Sequence, residues 1–378
     1  MLNSRLIFPF LASFFIYLIP VFHWKANAFE RDFHGQLSGW TKEVNIKDEW
    51  ENNTGILYIP EANFRHALNA ASSLDAELSL YCFAVTGSGP YEDDNDLDLY
   101  RTNIRYITTQ TETRVGLQKI NFGQARLLRP LRWFDRVDPT DPLQLSEGVY
   151  ALRFRYDALN TANVWLWGLY GNDDPMGYEP LPTEKNSLEI GGRFQYPILH
   201  GDLAVTLHTR QVDGSRYHIP DFRENRLGLD GRWDMVVGIW FETSFAHQKK
   251  THFSNEWTKR STIGLDYTFD IGNGLYVLAE HMTTVLSDEA FRWEEDFNVS
   301  AFSMNYPVGI MDSLNAIGYY DWDQKRYYQY LNWARTYDNV IINISLFYYP
   351  ETETENLGFI QDNPFNGSGG QLMITFNH

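Results

Sequence analysis

Residues 148–171 read GVYALRFRYDALNTANVWLWGLYG. In the first half, Tyr150, Leu152, Phe154 and Tyr156 alternate with Arg153 and Arg155. A period of two belongs to a β-strand, whose successive side chains point to opposite faces. One face of this strand is apolar; the other carries two guanidinium groups. Ala158 to Ala162 form a short turn-like link into a second alternating segment, 163–171. A lipid-facing charge near mid-membrane costs about 2–4 kcal/mol, so in a sheet between hydrocarbon and water the arginines must take the water side.

The same rhythm runs outward in both directions, and eighteen segments show it: 33–41, 57–68, 75–84, 97–108, 113–121, 148–157, 163–171, 187–197, 203–212, 225–233, 236–246, 259–270, 275–284, 298–306, 313–322, 327–336, 340–349 and 369–377. The clearest sets Val340, Ile342, Ile344, Leu346 and Tyr348 against Asn339, Asn343 and Ser345. The weakest, 57–68, contains Pro60, which removes a ladder donor and predicts a bulge or bend. Every second link is short, whereas 42–56, 85–96, 122–147, 172–186, 285–297 and 350–368 read as long polar loops, with 323–326 the exception. Lipid offers backbone N–H and C=O groups no partner, so a sheet that spans it must close on itself. Short turns on one side and long loops on the other are the asymmetry of bacterial outer-membrane barrels, with both termini in the periplasm and an even strand number. The expected fold is all-β: a single transmembrane antiparallel up-and-down barrel of about 18 strands, with 16 as the alternative.

Bulk composition agrees. Arg5, the apolar stretch Leu6 to Phe22 and Ala26-Asn27-Ala28 read as a cleaved signal peptide over 1–28, leaving 29–378 as one barrel domain. Without Arg5 and Lys25 the 31 basic residues fall to 29 against 49 acidic ones, a net charge of −20. Such acidity argues against nucleic acid or an anionic lipid surface as partner. Beyond residue 28 no apolar run approaches the roughly 18 residues of a spanning helix. Aromatic residues make up 16% of the chain and gather near segment ends, as interfacial girdles require. Cys82 lies in phase with outward apolar residues, and as the single cysteine it can form no internal disulfide. Leu372, Ile374 and Phe376 bring an aromatic strand close to the C-terminus, the kind of end that barrel-assembly machinery engages. Outer-membrane lipids and lipopolysaccharide are the surroundings this pattern implies.

The span from Arg101 to Arg155 holds ten basic and five acidic residues. Strand phase turns Arg101 and Arg105 to the lumen opposite Ile104 and Tyr106, and likewise Arg114 and Gln118 opposite Val115 and Leu117. With Arg153 and Arg155 they predict an arginine-lined wall. Glu242, Asp266 and Glu280 fall in lumen phase further round and predict an acidic wall facing it across water. The segment 123–147, GQARLLRPLRWFDRVDPTDPLQLSE, sets Arg126, Arg129, Arg132 and Arg136 among Leu, Trp and Phe. A loop that apolar should pack, and the barrel interior is nearest; 122–147 is expected to fold in as a constriction whose arginines bind carboxylate or phosphate.

Arg114 to Asp141, RVGLQKINFGQARLLRPLRWFDRVDPTD, together with the stretch from Gly148 onward, resembles porin-like outer-membrane barrels related to the alginate-export porins. The resemblance implies a monomeric barrel with an arginine-rich lumen passing anionic solutes. Arg101, Arg105, Arg114, Arg129, Arg153 and Arg155 are the matching pore-lining candidates. The leading expectation is therefore a passive channel for small polar, anionic or sugar-acid solutes, with no catalytic residues, cofactor or metal. Asp94, Asp96 and Asp98 have the opening spacing of a calcium loop, but Leu99 and Arg105 break the EF-hand pattern. The rival is a plugged, lectin-like barrel anchoring surface polysaccharide, with Tyr91, Tyr178, Trp257 and Trp293 stacking on sugars.

Overall fold

The computed structural model describes residues 29–88, 93–249, 255–350 and 367–378. The segment read as a signal peptide lies outside them, as does Tyr91. Eighteen antiparallel strands follow one another: β1 Phe29–Ile46, β2 Glu49–Asn69, β3 Ser72–Gly87, β4 Asp94–Thr108, β5 Thr111–Gln118, β6 Val149–Asp157, β7 Asn163–Tyr170, β8 Leu188–Ile198, β9 Gly201–Val212, β10 Phe222–Asp234, β11 Gly238–Gln248, β12 Trp257–Phe269, β13 Leu275–Ser287, β14 Glu295–Pro307, β15 Asp312–Asp321, β16 Arg326–Thr336, β17 Val340–Tyr349 and β18 Gly367–Asn377. Each pairs with its sequence neighbours, and β1 also pairs with β18 from Gln36↔Asn377 to Asn45↔Ser368. That seam closes the sheet, so no row of N–H and C=O groups is left for lipid to solvate. Ser38 Oγ meets Thr375 Oγ1 at 3.0 Å within the seam, and the Gly35 N–H donates to the His378 carbonyl at 3.0 Å.

Parity divides every strand as the alternation demands. On β6, Leu152 is 54% exposed on the outer face while Arg153 is 8% exposed on the inner one. Ile104, Leu166, Leu207, Ile263 and Leu346 continue the apolar exterior around the barrel. This belt, and the absence of any free sheet edge, define a transmembrane β-barrel.

Several boundaries differ from expectation, and three local features show why. The link expected over 42–56 is a tight hairpin: β1 and β2 stay paired to Ile46↔Glu49, and Lys47 and Asp48 turn the chain at φ 52° and 66°. Two consecutive positive-φ residues match the twist of a two-residue hairpin, which polarity alone does not reveal. At Pro60 the pairing with β3 lapses between Tyr58↔Cys82 and Glu61↔Ser79 without a change of register. The nearest register shift lies one strand over, at Ser79/Leu80. Finally, β5 stops at Gln118, so the long connection to β6 begins at Lys119.

Candidate functional site

The connection 119–148 enters the barrel and crosses to strands six to eight places further round from β5. Its apolar side chains Ile120, Phe122, Leu131, Trp133 and Phe134 bury themselves against Val149, Ala151, Trp167 and Leu169 of β6 and β7. Two carboxylates then hold its backbone. Glu242 on β11 accepts the N–H groups of Gln124 (2.7 Å), Ala125 (2.9 Å) and Leu131 (2.6 Å). Glu280 on β13 accepts those of Arg126 (2.6 Å), Leu127 (2.9 Å) and Leu128 (2.6 Å), plus the Trp240 indole at 3.0 Å. Thr262 on β12 donates to the Leu128 carbonyl at 2.8 Å. Gly123, at φ +102°, lies so close to Glu242 that a Cβ would collide with the carboxylate.

The acidic wall expected to face the arginines across water therefore gives way to a different arrangement. Glu242 and Glu280 are 0% and 3% exposed, and their negative charge meets backbone dipoles of the loop. Asp266 joins Arg232 at 3.0 Å and the Tyr276 hydroxyl at 2.9 Å.

Three of the four loop arginines are braces. Arg129 makes a two-pronged contact with Asp135 at 2.8 and 3.0 Å and reaches Asn121. Arg132 donates to the Asp135 carbonyl at 3.1 Å and stacks on Tyr178; Arg136 donates to the Pro175 carbonyl at 2.5 Å. Of the four, only Arg126 is exposed; Lys119 and Asn121 are exposed beside it on this loop, as are Gln144 and Glu147 nearer its end.

The last two contacts reveal a second inserted loop, 171–187, which polarity reading treated as external. A Cβ on its Gly177 would clash with the Arg132 carbonyl, so the two loops interlock. Glu184 N–H donates to the Gln211 carbonyl, and Thr183 bridges to Val212. Beneath this cover Arg210 pairs with Glu224 (2.7 Å) and Glu179 (2.9 Å), Arg226 with Glu179 (2.6 Å), and Arg193 with Asp230 (2.6 and 2.8 Å). His208 contacts Glu189 at 2.9 Å. Tyr178, a sugar-stacking candidate, is packed between Arg132 and Arg260; Trp257 stacks on His247, while Trp293 stays exposed. The Asp94, Asp96 and Asp98 positions belong to strand β4 rather than to a loop.

The remaining arginines form a wall on β4 to β6. Arg105 contacts Asp75 at 2.7 Å, and Arg105, Arg114 and Arg153 all approach Glu112. Arg155 meets Asp157 at 2.8 Å, and both Arg153 and Arg155 lie 5.2 Å from the Trp165 ring. Arg101, higher on β4, is buried against Tyr100 and holds the Ser146 carbonyl and hydroxyl at 2.5 and 3.0 Å, tying down the end of the loop. Gln118 donates to the Ala151 carbonyl at 2.9 Å and is fully buried. Arg105 and Arg114 stay partly open to the lumen at the short-turn end, with side chains 31% and 18% exposed.

A closed antiparallel barrel with a loop laid across its lumen is the fold of outer-membrane porins. Solved structures similar to this chain include an anion-selective porin from Comamonas acidovorans (TM-score 0.54, 9% identity, covering 93% of this chain and 100% of that one). OmpF of Salmonella typhi in complex with daunomycin matches at TM-score 0.52 and 10% identity over 92% and 97% of the two chains. The outer-membrane channel DcaP of Acinetobacter baumannii matches at 0.51 and 10% over 94% and 99%. No protein-family model and no curated protein sequence matches the chain.

Proposed function

We propose that this chain is a porin of the bacterial outer membrane, passing small polar solutes passively and favouring anions. The observation that carries the reading is the β4–β6 wall, where guanidinium groups outnumber the carboxylates they touch and Arg105 and Arg114 remain partly open to the lumen. The overall charge of −18 makes this local excess of cations the more pointed. An anion entering the lumen meets fixed positive charge in a space of reduced dielectric, where attraction is stronger than in bulk water. The loop 119–148 acts in this reading as the constriction, with Arg126 and Lys119 on its open side. The similarity in fold to the anion-selective porin from Comamonas acidovorans supports the same assignment.

A second reading, a plugged barrel with a surface-binding role, draws on the depth to which 119–148 and 171–187 fill the lumen. Planar-bilayer recording separates the two. A channel gives reproducible single-channel steps, and a tenfold KCl gradient displaces the reversal potential toward that of chloride; steps displaced toward potassium overturn the anion preference, and absent steps favour the plug.

A further inference from the structure

The strand register sets Arg105 directly opposite Arg114, and Arg114 directly opposite Arg153, all on the inner face. Like charges placed opposite one another across a ladder repel. The row continues through Asp75, opposite Arg105, to Arg65, opposite Asp75. Asp75 is shared by Arg65 (3.1 Å) and Arg105 (2.7 Å). Everything else converges on Glu112. Its Oε1 lies 2.5 Å from Arg153 Nη2 and 3.3 Å from Arg114 Nη2, and its Oε2 lies 3.8 Å from Arg105 Nη1. Guanidinium groups grip a carboxylate best with two parallel N–H donors on its two oxygens, and Glu112, divided among three of them, gives none that two-pronged contact.

The row is under-supplied with acceptors. Four guanidinium groups share two carboxylates here, an excess of two positive charges. Among the described residues Arg114 Nε and Arg153 Nε are buried with no acceptor, and so is the indole Nε1 of Trp165, whose ring lies beside Arg153. Arg153 is 8% exposed, so its unused donor is expensive where it stands. Glu112 is one-fifth exposed and reachable from the lumen.

We infer that this row is an exchange site for the carboxylate of a small solute, with Glu112 as its tethered resident. The inference rests on the channel reading, which brings the solute into the lumen. An arriving carboxylate competes with Glu112 for the shared guanidinium groups, reaching them through Arg105 and Arg114, the two that stay partly open. Because the resident is covalently held, it competes at a fixed effective concentration. Binding is thereby kept weak enough for release, as conduction requires.

The test is block of KCl current by succinate in planar bilayers, with inorganic phosphate as the comparison anion. In Glu112→Gln the half-blocking succinate concentration falls about tenfold, and in the Arg114→Gln/Arg153→Gln double variant it rises about tenfold, one charged hydrogen bond being worth that much. Phosphate, which is tetrahedral, responds less. Heat-modifiable migration reports assembly. Glu112→Asp, which withdraws the resident by one methylene, moves block in the same direction as Glu112→Gln and stands in should that variant fail to assemble. Unchanged succinate block in either Glu112 variant, or equal shifts for phosphate, overturns the exchange site while leaving an anion-selective channel standing. Absence of any current overturns the channel reading instead. Titration of succinate into the detergent-solubilised barrel then decides the site, with the same order of affinities expected.

Discussion

Two stretches of the inner wall carry arginines at the same strand parity, and their arginines do opposite things. On β8 to β10, Arg193, Arg210 and Arg226 each meet buried carboxylates and lie beneath the inserted loops. On β4 to β6, Arg105, Arg114 and Arg153 crowd around one Glu112 and stay within reach of the lumen. Parity puts both sets inside. What separates them is the supply of carboxylates and the presence of a loop overhead. In the first set Arg210 and Arg226 weld loop to barrel through Glu179 and Arg193 welds strand to strand through Asp230; the second holds charge in reserve for something that passes.

The most drastic way to break this contrast is to release the cover. Replacing Glu242 and Glu280 together with Ala strips acceptors from six backbone N–H groups of the loop. Each buried N–H left unmatched costs roughly 1–3 kcal/mol, a total that apolar packing and the remaining Thr262, Arg101 and Arg136 hydrogen bonds must absorb. The loop should leave the wall, so single-channel conductance rises severalfold and becomes noisy while the strands still close. Conductance equal to that of the parent would mean that the apolar contacts of Leu131 and Trp133, with the Thr262, Arg101 and Arg136 hydrogen bonds, hold the loop without the two carboxylates.

A smaller break targets one weld. Arg193→Ala leaves Asp230, 0% exposed, as an uncompensated buried charge, a loss of about 3–5 kcal/mol in measured cases. The midpoint of urea unfolding in detergent should fall accordingly. Arg114→Ala, on the partly open wall, should barely move it, because its carboxylate keeps Arg153 and Arg105. Equal destabilisation by the two substitutions would erase the distinction between weld and reserve.

The barrel was legible because lipid enforces it: all eighteen observed strands overlap the alternating segments, Val340–Tyr349 to the residue. What the sequence hid follows from chemistry that alternation does not encode. Lys47 and Asp48 carry no Gly or Asn to announce their turn, so a polar stretch passed for a loop. The inserted loop 171–187 has none of the apolar run that betrays 119–148; its buried Met176 and Leu181 stand alone among polar residues, Gly and Pro, and its burial depends on Glu179 meeting Arg210 and Arg226 on β9 and β10. Counting charge along the sequence found the β4–β6 cations because their excess is local. It missed the β8–β10 set because carboxylates cancel it there. Glu242 and Glu280 were placed on the correct face, but whether water or a backbone N–H meets a carboxylate is decided in three dimensions.

The gentlest test sharpens the contrast within the arginines themselves. Arg129 and Arg132 are as basic as Arg114 and Arg153, yet both are committed to Asp135 inside their own loop. If proximity to the lumen is all that matters, removing either pair should cost the same selectivity. If free charge is what matters, Arg129→Ala/Arg132→Ala should leave the reversal potential in a KCl gradient almost unshifted and show its effect as loop noise. Arg114→Gln/Arg153→Gln should instead move that potential toward the cation side, since it removes charge that no carboxylate balances. Both double changes remove two positive charges, so any difference between them reports where that charge sits: the Arg129–Asp135 pair is held within the loop, Asp135 being 1% exposed, whereas Arg114 stays partly open to the lumen. A larger shift from the loop pair than from the wall pair would relocate the selectivity step to the loop.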